Sequence, residues 1–334
     1  MLEGVYRWPS FLFDALCGCC IFGILQAGDH ALSTGLKRLF GDKQKLSRAF
    51  VAGIRLVTVI LVFGTFLLAT VQMHPPKIGC AKSPADFGIE FTEHMVATDD
   101  GIKIVLWAMP ADESDRPVVV VTHGLGANKQ NFMFVSELIH RLNYNVVAFD
   151  FRGHGDSGGH TCTLGVNEAA DVKAAYDFAV ERFPNRNIYA WSTSLGAAAA
   201  VRAAAEYKIF DKLIVDATFA SVKDVAMETK YCYLGPFDST AWQISRLWYR
   251  IFTGKDIEEF GPINDIGKIE SPILLIHGTH DPVIPHSESD KLLAAAKQGT
   301  ELWKVVGAGH SGSFHHPDYS KRIVTFFDEA GESN

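Results

Sequence analysis

Beyond residue 88 the chain alternates two textures, and that alternation limits what it can fold into. Short β-branched runs cover 118–122, 146–149, 187–191, 213–215, 273–276 and 302–306. Between them lie longer helical patterns near 130–142, 166–183, 194–207, 287–297 and 317–329. Apart from Asn187 and Lys304 the short runs are almost wholly apolar, as strands are when helices cover both faces of a sheet. In 166–183, Val172, Ala175, Tyr176, Ala179, Val180 and Phe183 form one helical stripe. Residues 197–200 and 203–205 are all alanine, which suits a helix pressed closely against strands. The pattern predicts an α/β fold, a mostly parallel sheet with helices on both faces. Residues 93–110 alternate and turn at Asp99-Asp100-Gly101, as a hairpin does.

In such sheets, ligands bind beyond the carboxyl ends of the strands. The segments there are "HGLGANKQNF" (123–132), "DFRGHGDSGG" (150–159), "WSTSLG" (191–196), "DATFAS" (216–221), "HGTHDPVIP" (277–285) and "GAGHSGSF" (307–314). A serine hydroxyl becomes a nucleophile only when a base removes its proton. A sharp strand-to-helix turn that exposes it needs small residues two before and two after. Ser194 meets that condition with Ser192 and Gly196. Ser192 as nucleophile is sterically allowed but leaves Gly196 unexplained, and Thr193 would put Trp191 in a crowded position. Either serine could instead merely cap the alanine-rich helix. His310, on the turn after the last strand, is the expected base. Asp281, after the preceding strand, is the expected orienting carboxylate, with Asp216 as its rival. A developing oxyanion needs donors, and the backbone N–H groups of Leu195 and Leu125 are the candidates. His123 is expected to pack and brace its loop.

With these motifs in family order, the chain from about 93 to 329 resembles the α/β-hydrolase superfamily. Within it, the chain is similar to the serine aminopeptidase-type, monoacylglycerol-lipase-like "Hydrolase 4" branch. The departure is Ser192 where the elbow usually has glycine, a substitution of one small residue for another. The resemblance implies a Ser194–His310–Asp281 triad, and a structural role for Arg152 and His154 in "RGHG". It also implies that residues 219–270, with the aromatic stretch 231–252, form a helical cap that shapes an apolar acyl pocket; a plain packed helical excursion is the simpler reading.

Residues 1–73 read as a membrane anchor, 74–87 as a linker, and 88–330 as the hydrolase domain with its cap insertion. The segment 51–72 carries one charge, Arg55, and about 20 apolar residues suffice to span a bilayer core of ~30 Å. Residues 9–27 are compatible with a second span or an in-plane helix. Lys37, Arg38, Lys43, Lys45 and Arg48 lie between the two, and fewer basic residues flank them outside. By the positive-inside tendency this places the catalytic domain on the extracytoplasmic side of the membrane, whether periplasmic, extracellular or lumenal.

A net charge of -7 offers no basic footprint for nucleic acid. No cofactor or metal motif stands out; the pairs His277/His280 and His315/His316 lack zinc-site spacing. Six cysteines, three of them within the apolar stretch at 17–20, are too few for a disulfide scaffold. The expected partners are therefore a small-molecule or lipid acyl substrate and the membrane. The expected activity is acyl-ester hydrolysis. A peptidase or amidase of the aminopeptidase type is the alternative enzyme, and a membrane-tethered interaction protein on a hydrolase fold is the alternative outside catalysis.

Overall fold

The computed structural model describes residues 43–113, 115–228 and 235–328. The segment 9–27, together with Lys37, Arg38, Cys17, Cys19, Cys20 and Cys232, lies outside them. In chain order the helices and strands are α1 (Lys43–Met73), β1 (Thr92–Ala97), β2 (Lys103–Met109), β3 (Val118–Val121), α2 (Met133–Arg141), β4 (Asn145–Phe149), α3 (Glu168–Arg182), β5 (Ile188–Thr193), α4 (Leu195–Tyr207) and β6 (Lys212–Asp216). There follow α5 (Val222–Glu228), α6 (Asp238–Thr253), α7 (Pro262–Asp265), β7 (Ile273–Gly278), α8 (Ser287–Ala295), β8 (Glu301–Val305) and α9 (Tyr319–Asp328). Two compact units result: residues up to Thr70 with 226–255, and residues 71–225 with 256 onward.

The larger unit holds one eight-stranded sheet in the order β1-β2-β4-β3-β5-β6-β7-β8. The β1–β2 hairpin is antiparallel, β2 joins β4 antiparallel, and the remaining neighbours are parallel. Side chains on a strand alternate between faces, so each apolar run feeds two cores. Val118 and Val120 enter one core with Ala175, Ala199 and Ala203 of α3 and α4. Val119 and Val121 enter the other with Met133 and Ile139 of α2 and Ile323 and Phe326 of α9. All four β3 valines are essentially inaccessible to water. The chain therefore has the expected doubly covered α/β sheet. Among the described residues, the connection from β6 to β7 is helical wherever it has regular structure.

In the smaller unit α1 is 31 residues long and starts at Lys43, eight residues before the apolar run. Its segment Arg48–Met73 is long and apolar enough to cross a membrane, and little of it is buried. The hydroxyls of Thr58, Thr65 and Thr70 donate back to the carbonyls of Ile54, Leu61 and Phe66, four residues earlier. Polar groups on an apolar helix are thereby satisfied within the helix, as a hydrocarbon environment demands. α6 closes on Gly254, whose φ of +71° is one that glycine adopts without steric cost.

Candidate active site

The β5–α4 junction fixes the first site residue. Ser194 has φ 54° and ψ -123°, a strained conformation for a residue with a Cβ. Several contacts hold it there. Its N–H donates to the Asp216 carbonyl at 2.9 Å, and its own carbonyl accepts from the Thr218 hydroxyl at 2.9 Å and from the Ala197 and Ala198 amides at 3.1 Å. Its side chain does not cap α4, so the capping role that the sequence left open is absent. Gly196 allows the tight turn: a Cβ there would lie 2.2 Å from Thr122 Oγ1 and 2.5 Å from the His123 carbonyl.

Ser192 and Ser194 differ sharply in setting. Ser192 belongs to β5, is 0% exposed, and its Oγ has no hydrogen-bond partner. Ser194 keeps a partly exposed side and hydrogen-bonds His310 Nε2 at 3.1 Å. His310 Nδ1 lies 2.7 Å from Asp281 Oδ2. Nδ1–H donating to that carboxylate leaves the Nε2 lone pair to accept the Ser194 hydroxyl proton. Asp281 Oδ1 accepts the Val283 and Ile284 amides at 2.8 and 2.9 Å. Burial would raise the Asp281 pKa, but hydrogen bonds from His277 and His310 outweigh it and hold the carboxyl well below the usual range. Asp281 therefore stays an anion, as an orienting partner of an imidazole must.

Asp216, the rival carboxylate, accepts the Ser313 hydroxyl at 3.3 Å instead. It is buried, and burial pushes its pKa up to about 7 against the attraction of His277 and His310. A carboxyl that readily keeps its proton is poorly suited to steadying an imidazolium.

The oxyanion candidates lie beside the nucleophile. Leu195 opens α4, so its N–H has no acceptor within the helix. The loop carrying Leu125 approaches closely, because a Cβ on the preceding Gly124 would lie 3.3 Å from Ser194 Cβ. Only glycine leaves that approach unhindered.

Sequence reasoning missed two supports. His277 Nε2 lies 3.0 Å from the Ile284 carbonyl and 3.3 Å from Asp281 Oδ2, so one N–H is shared between the turn and the carboxylate. Thr193 Oγ1 lies 3.0 Å from Ser311 Oγ, tying the elbow to the residue after His310. His277 had a positional signal, four residues before Asp281 on a strand end; the hydroxyl pair had none.

The remaining strand-end groups brace loops. His123 is buried, with Nδ1 at 2.8 Å from the Gly124 carbonyl and Nε2 accepting the Phe151 amide at 3.0 Å. Burial drives its pKa well below normal, so it is neutral. Arg152 pairs with Asp171 and Asp100. Cys80, Asp150 and Asp156 bring ligand-type atoms within 4.8 Å of one another. The Lys129 ammonium sits 2.7 Å from Asp150 and 3.0 Å from Asp156, so a protein cation already answers that charge. His280 contacts Thr279, and His316 packs edge-on to Trp303. Cys80 and Cys162 are free thiols.

Residues 113–256 match the family described as serine aminopeptidase, S33. The lysophosphatidylserine lipase ABHD12 of Danio rerio is 26% identical over 252 residues, 66% of this chain and 63% of that protein. The alpha/beta hydrolase domain-containing protein 17B of Homo sapiens is 26% identical over 70% of this chain and 74% of its own length. Among solved structures, the Pyrococcus furiosus esterase Pf2001 superposes with a TM-score of 0.64 at 24% identity, covering 77% of this chain and 97% of that one. At that identity the likeness speaks for the fold.

Proposed function

The chain is an α/β-hydrolase whose segment 113–256 matches the serine aminopeptidase branch, and from that premise we propose that it is a membrane-anchored ester hydrolase acting through Ser194, His310 and Asp281. One observation carries the reading. His310 bridges Ser194 at 3.1 Å and Asp281 at 2.7 Å, with the two ring nitrogens facing opposite partners.

Ser194 Oγ attacks the acyl carbonyl carbon while its proton passes to His310 Nε2. The tetrahedral oxyanion is received by the Leu195 and Leu125 N–H groups. The oxyanion collapses, the carbon–oxygen bond to the leaving alcohol breaks, and His310 returns the proton to that alcohol. Water, deprotonated by the same nitrogen, then attacks the acyl-enzyme, and the acid departs as Ser194 regains its proton. Asp281 stabilises the imidazolium formed in each half.

The favoured substrate is a lipid acyl ester. The apolar helix Arg48–Met73 supports membrane anchoring, and the zebrafish relative is named a lysophosphatidylserine lipase. The basic residues from Lys37 to Arg48 support an extracytoplasmic catalytic domain.

A hydrolysis screen of the full chain in detergent micelles tests this, with lysophospholipids, soluble short-chain esters and aminoacyl peptides compared against Ser194→Ala. Ester cleavage abolished by Ser194→Ala is expected. Turnover confined to peptides would replace the esterase reading with the aminopeptidase one. Protease admitted to the extracytoplasmic face, outside cells, in spheroplasts or inside opened lumenal compartments, should cut the catalytic domain while the cytoplasm stays sealed, and full protection there would contradict the topology.

A further inference from the structure

The stripe of apolar side chains on α6 takes no part in the proton transfers above. Ile244, Leu247, Trp248, Ile251 and Phe252 recur at i, i+3, i+4, i+7 and i+8, which is one continuous face of a helix. Part of that face is open, with Ile244 and Trp248 half-buried and Leu247, Ile251 and Phe252 exposed. Trp242 and Tyr249, on the opposite side, are 8% and 4% exposed, whereas Leu247 and Ile251 are 53% and 59% exposed. Phe237, just before the helix, is also exposed.

The stripe adjoins α1 at a particular height. The Phe66 ring meets Trp248 edge-on at 5.1 Å and Phe252 at 5.9 Å. The earlier part of α1 is bare, with Phe50, Val59 and Phe63 at 70%, 62% and 63% exposure. The stretch from Arg48 to Phe63 rises only ~24 Å at the helical pitch, short of the ~30 Å hydrocarbon core. A ~30 Å core that ends with the apolar run at Val71 begins about 20 residues earlier and contains Phe66. A bilayer spanned by α1 therefore surrounds Phe66, and the rings of Trp248 and Phe252 sit at that level. An in-plane amphipathic helix buries its apolar face ~5–10 Å deep, the depth that Phe66 has below the end of the apolar run at Val71.

We propose that α6 is a second membrane contact, an in-plane helix whose 244–252 stripe lies in the leaflet that receives the C-terminal end of α1. The proposal rests on the reading of α1 as a span and adds a bilayer-binding surface far along the chain from it. Continuity with the bare surface of α1 selects lipid as the occupant. α6 would hold the hydrolase to the membrane at two points, one spanning and one lying flat.

Depth-resolved quenching tests it. A genetically encoded fluorescent residue is placed singly at Ile251, Leu247 or Val59 of the full chain, reconstituted in phosphatidylcholine vesicles. Lipids carrying a nitroxide at carbon 5 or carbon 12 report depth, and aqueous iodide reports exposure. The expected result is quenching at 59 strongest from carbon 12, and at 251 and 247 strongest from carbon 5 with iodide excluded. Quenching at 59 by lipid but at 251 and 247 only by iodide would overturn the proposal and leave the span standing. Positions 251 and 247 shielded from both quenchers would mean that protein covers the stripe, which also overturns it. No lipid quenching at 59 would refute the span itself, and the proposal with it.

Discussion

Two sets of strand-end loops in the sheet are equally rich in titratable residues, yet they do opposite things. After β3 and β4, His123, Lys129, Asp150 and Arg152 are buried and each is matched to a fixed partner. After β5, β7 and β8, Ser194, Asp281 and His310 meet in a partly open setting, with one strained residue at the centre. Loops of the first kind brace the fold because their charged groups are held in fixed ion pairs. Those of the second kind leave one hydroxyl proton able to move along a short path to a base. What separates a structural histidine from a proposed catalytic one is its hydrogen-bond partners: the His123 ring nitrogens bond backbone groups, whereas those of His310 meet a hydroxyl and an anion.

Substitutions that cross this divide should separate activity from stability. The largest effect is expected for Ser194→Ala, a loss of about 10⁶ in kcat with an unchanged unfolding midpoint, read by ester hydrolysis and calorimetry on the same sample. Ser192→Ala should keep most activity, and if it is the inactive variant the nucleophile has been misplaced. Asp281→Asn should lower kcat about 10⁴-fold while the fold survives, because the wrong imidazole tautomer is favoured. An Asp281→Asn enzyme as fast as the parent would remove that residue from the site.

On the bracing side, Lys129→Met should cost ~3–5 kcal/mol in denaturant unfolding, since it leaves buried Asp150 uncompensated. Specific activity of the folded fraction should change little. If Lys129→Met destroys activity without lowering stability, the two loop sets are not distinct.

The smallest effect is a pH slope. Asp216 has its pKa raised to about 7 by burial, well above its ordinary value, so the folded chain keeps a proton that the unfolded chain has released. Folded protein then binds more protons between about pH 4 and 7, and stability falls as pH rises through that window by up to ~1.4 kcal/mol per pH unit. Asp216→Asn, a neutral isostere, should flatten that slope, and unfolding curves at pH 5 and pH 7 would show it. An unchanged slope would place the titration elsewhere.

The sheet was readable from the chain because its central strands are short, mostly apolar runs with few polar residues, such as the four valines of β3, and two-sided burial favours that pattern. Ser194, His310 and Asp281 stood out because each follows such a run on a turn of small residues. Lys129 did not: in "GANKQNF" it looks like an ordinary solvated loop lysine. Its burial depends on Asp150 of the neighbouring strand end and on the Trp107 ring, 4.6 Å from the ammonium, and neither is near it in sequence. The capping alternative for Ser194 could be decided only by the partner of its hydroxyl, because a capping serine and an elbow serine occupy the same sequence position. The α6 stripe was visible as aromatics at near-helical spacing. Its contact with Phe66 was not, since 182 residues separate Phe66 from Trp248.

The central claim is that Ser194, and not its buried neighbour Ser192, is the nucleophile. A fluorophosphonate probe reacts with an activated serine and leaves a covalent mass on it. Incubation of the full chain with the probe, followed by peptide mass mapping, should place one adduct on Ser194. It should be absent from Ser194→Ala and strongly slowed in His310→Ala. An adduct on Ser192, or labelling that survives Ser194→Ala, would contradict the account.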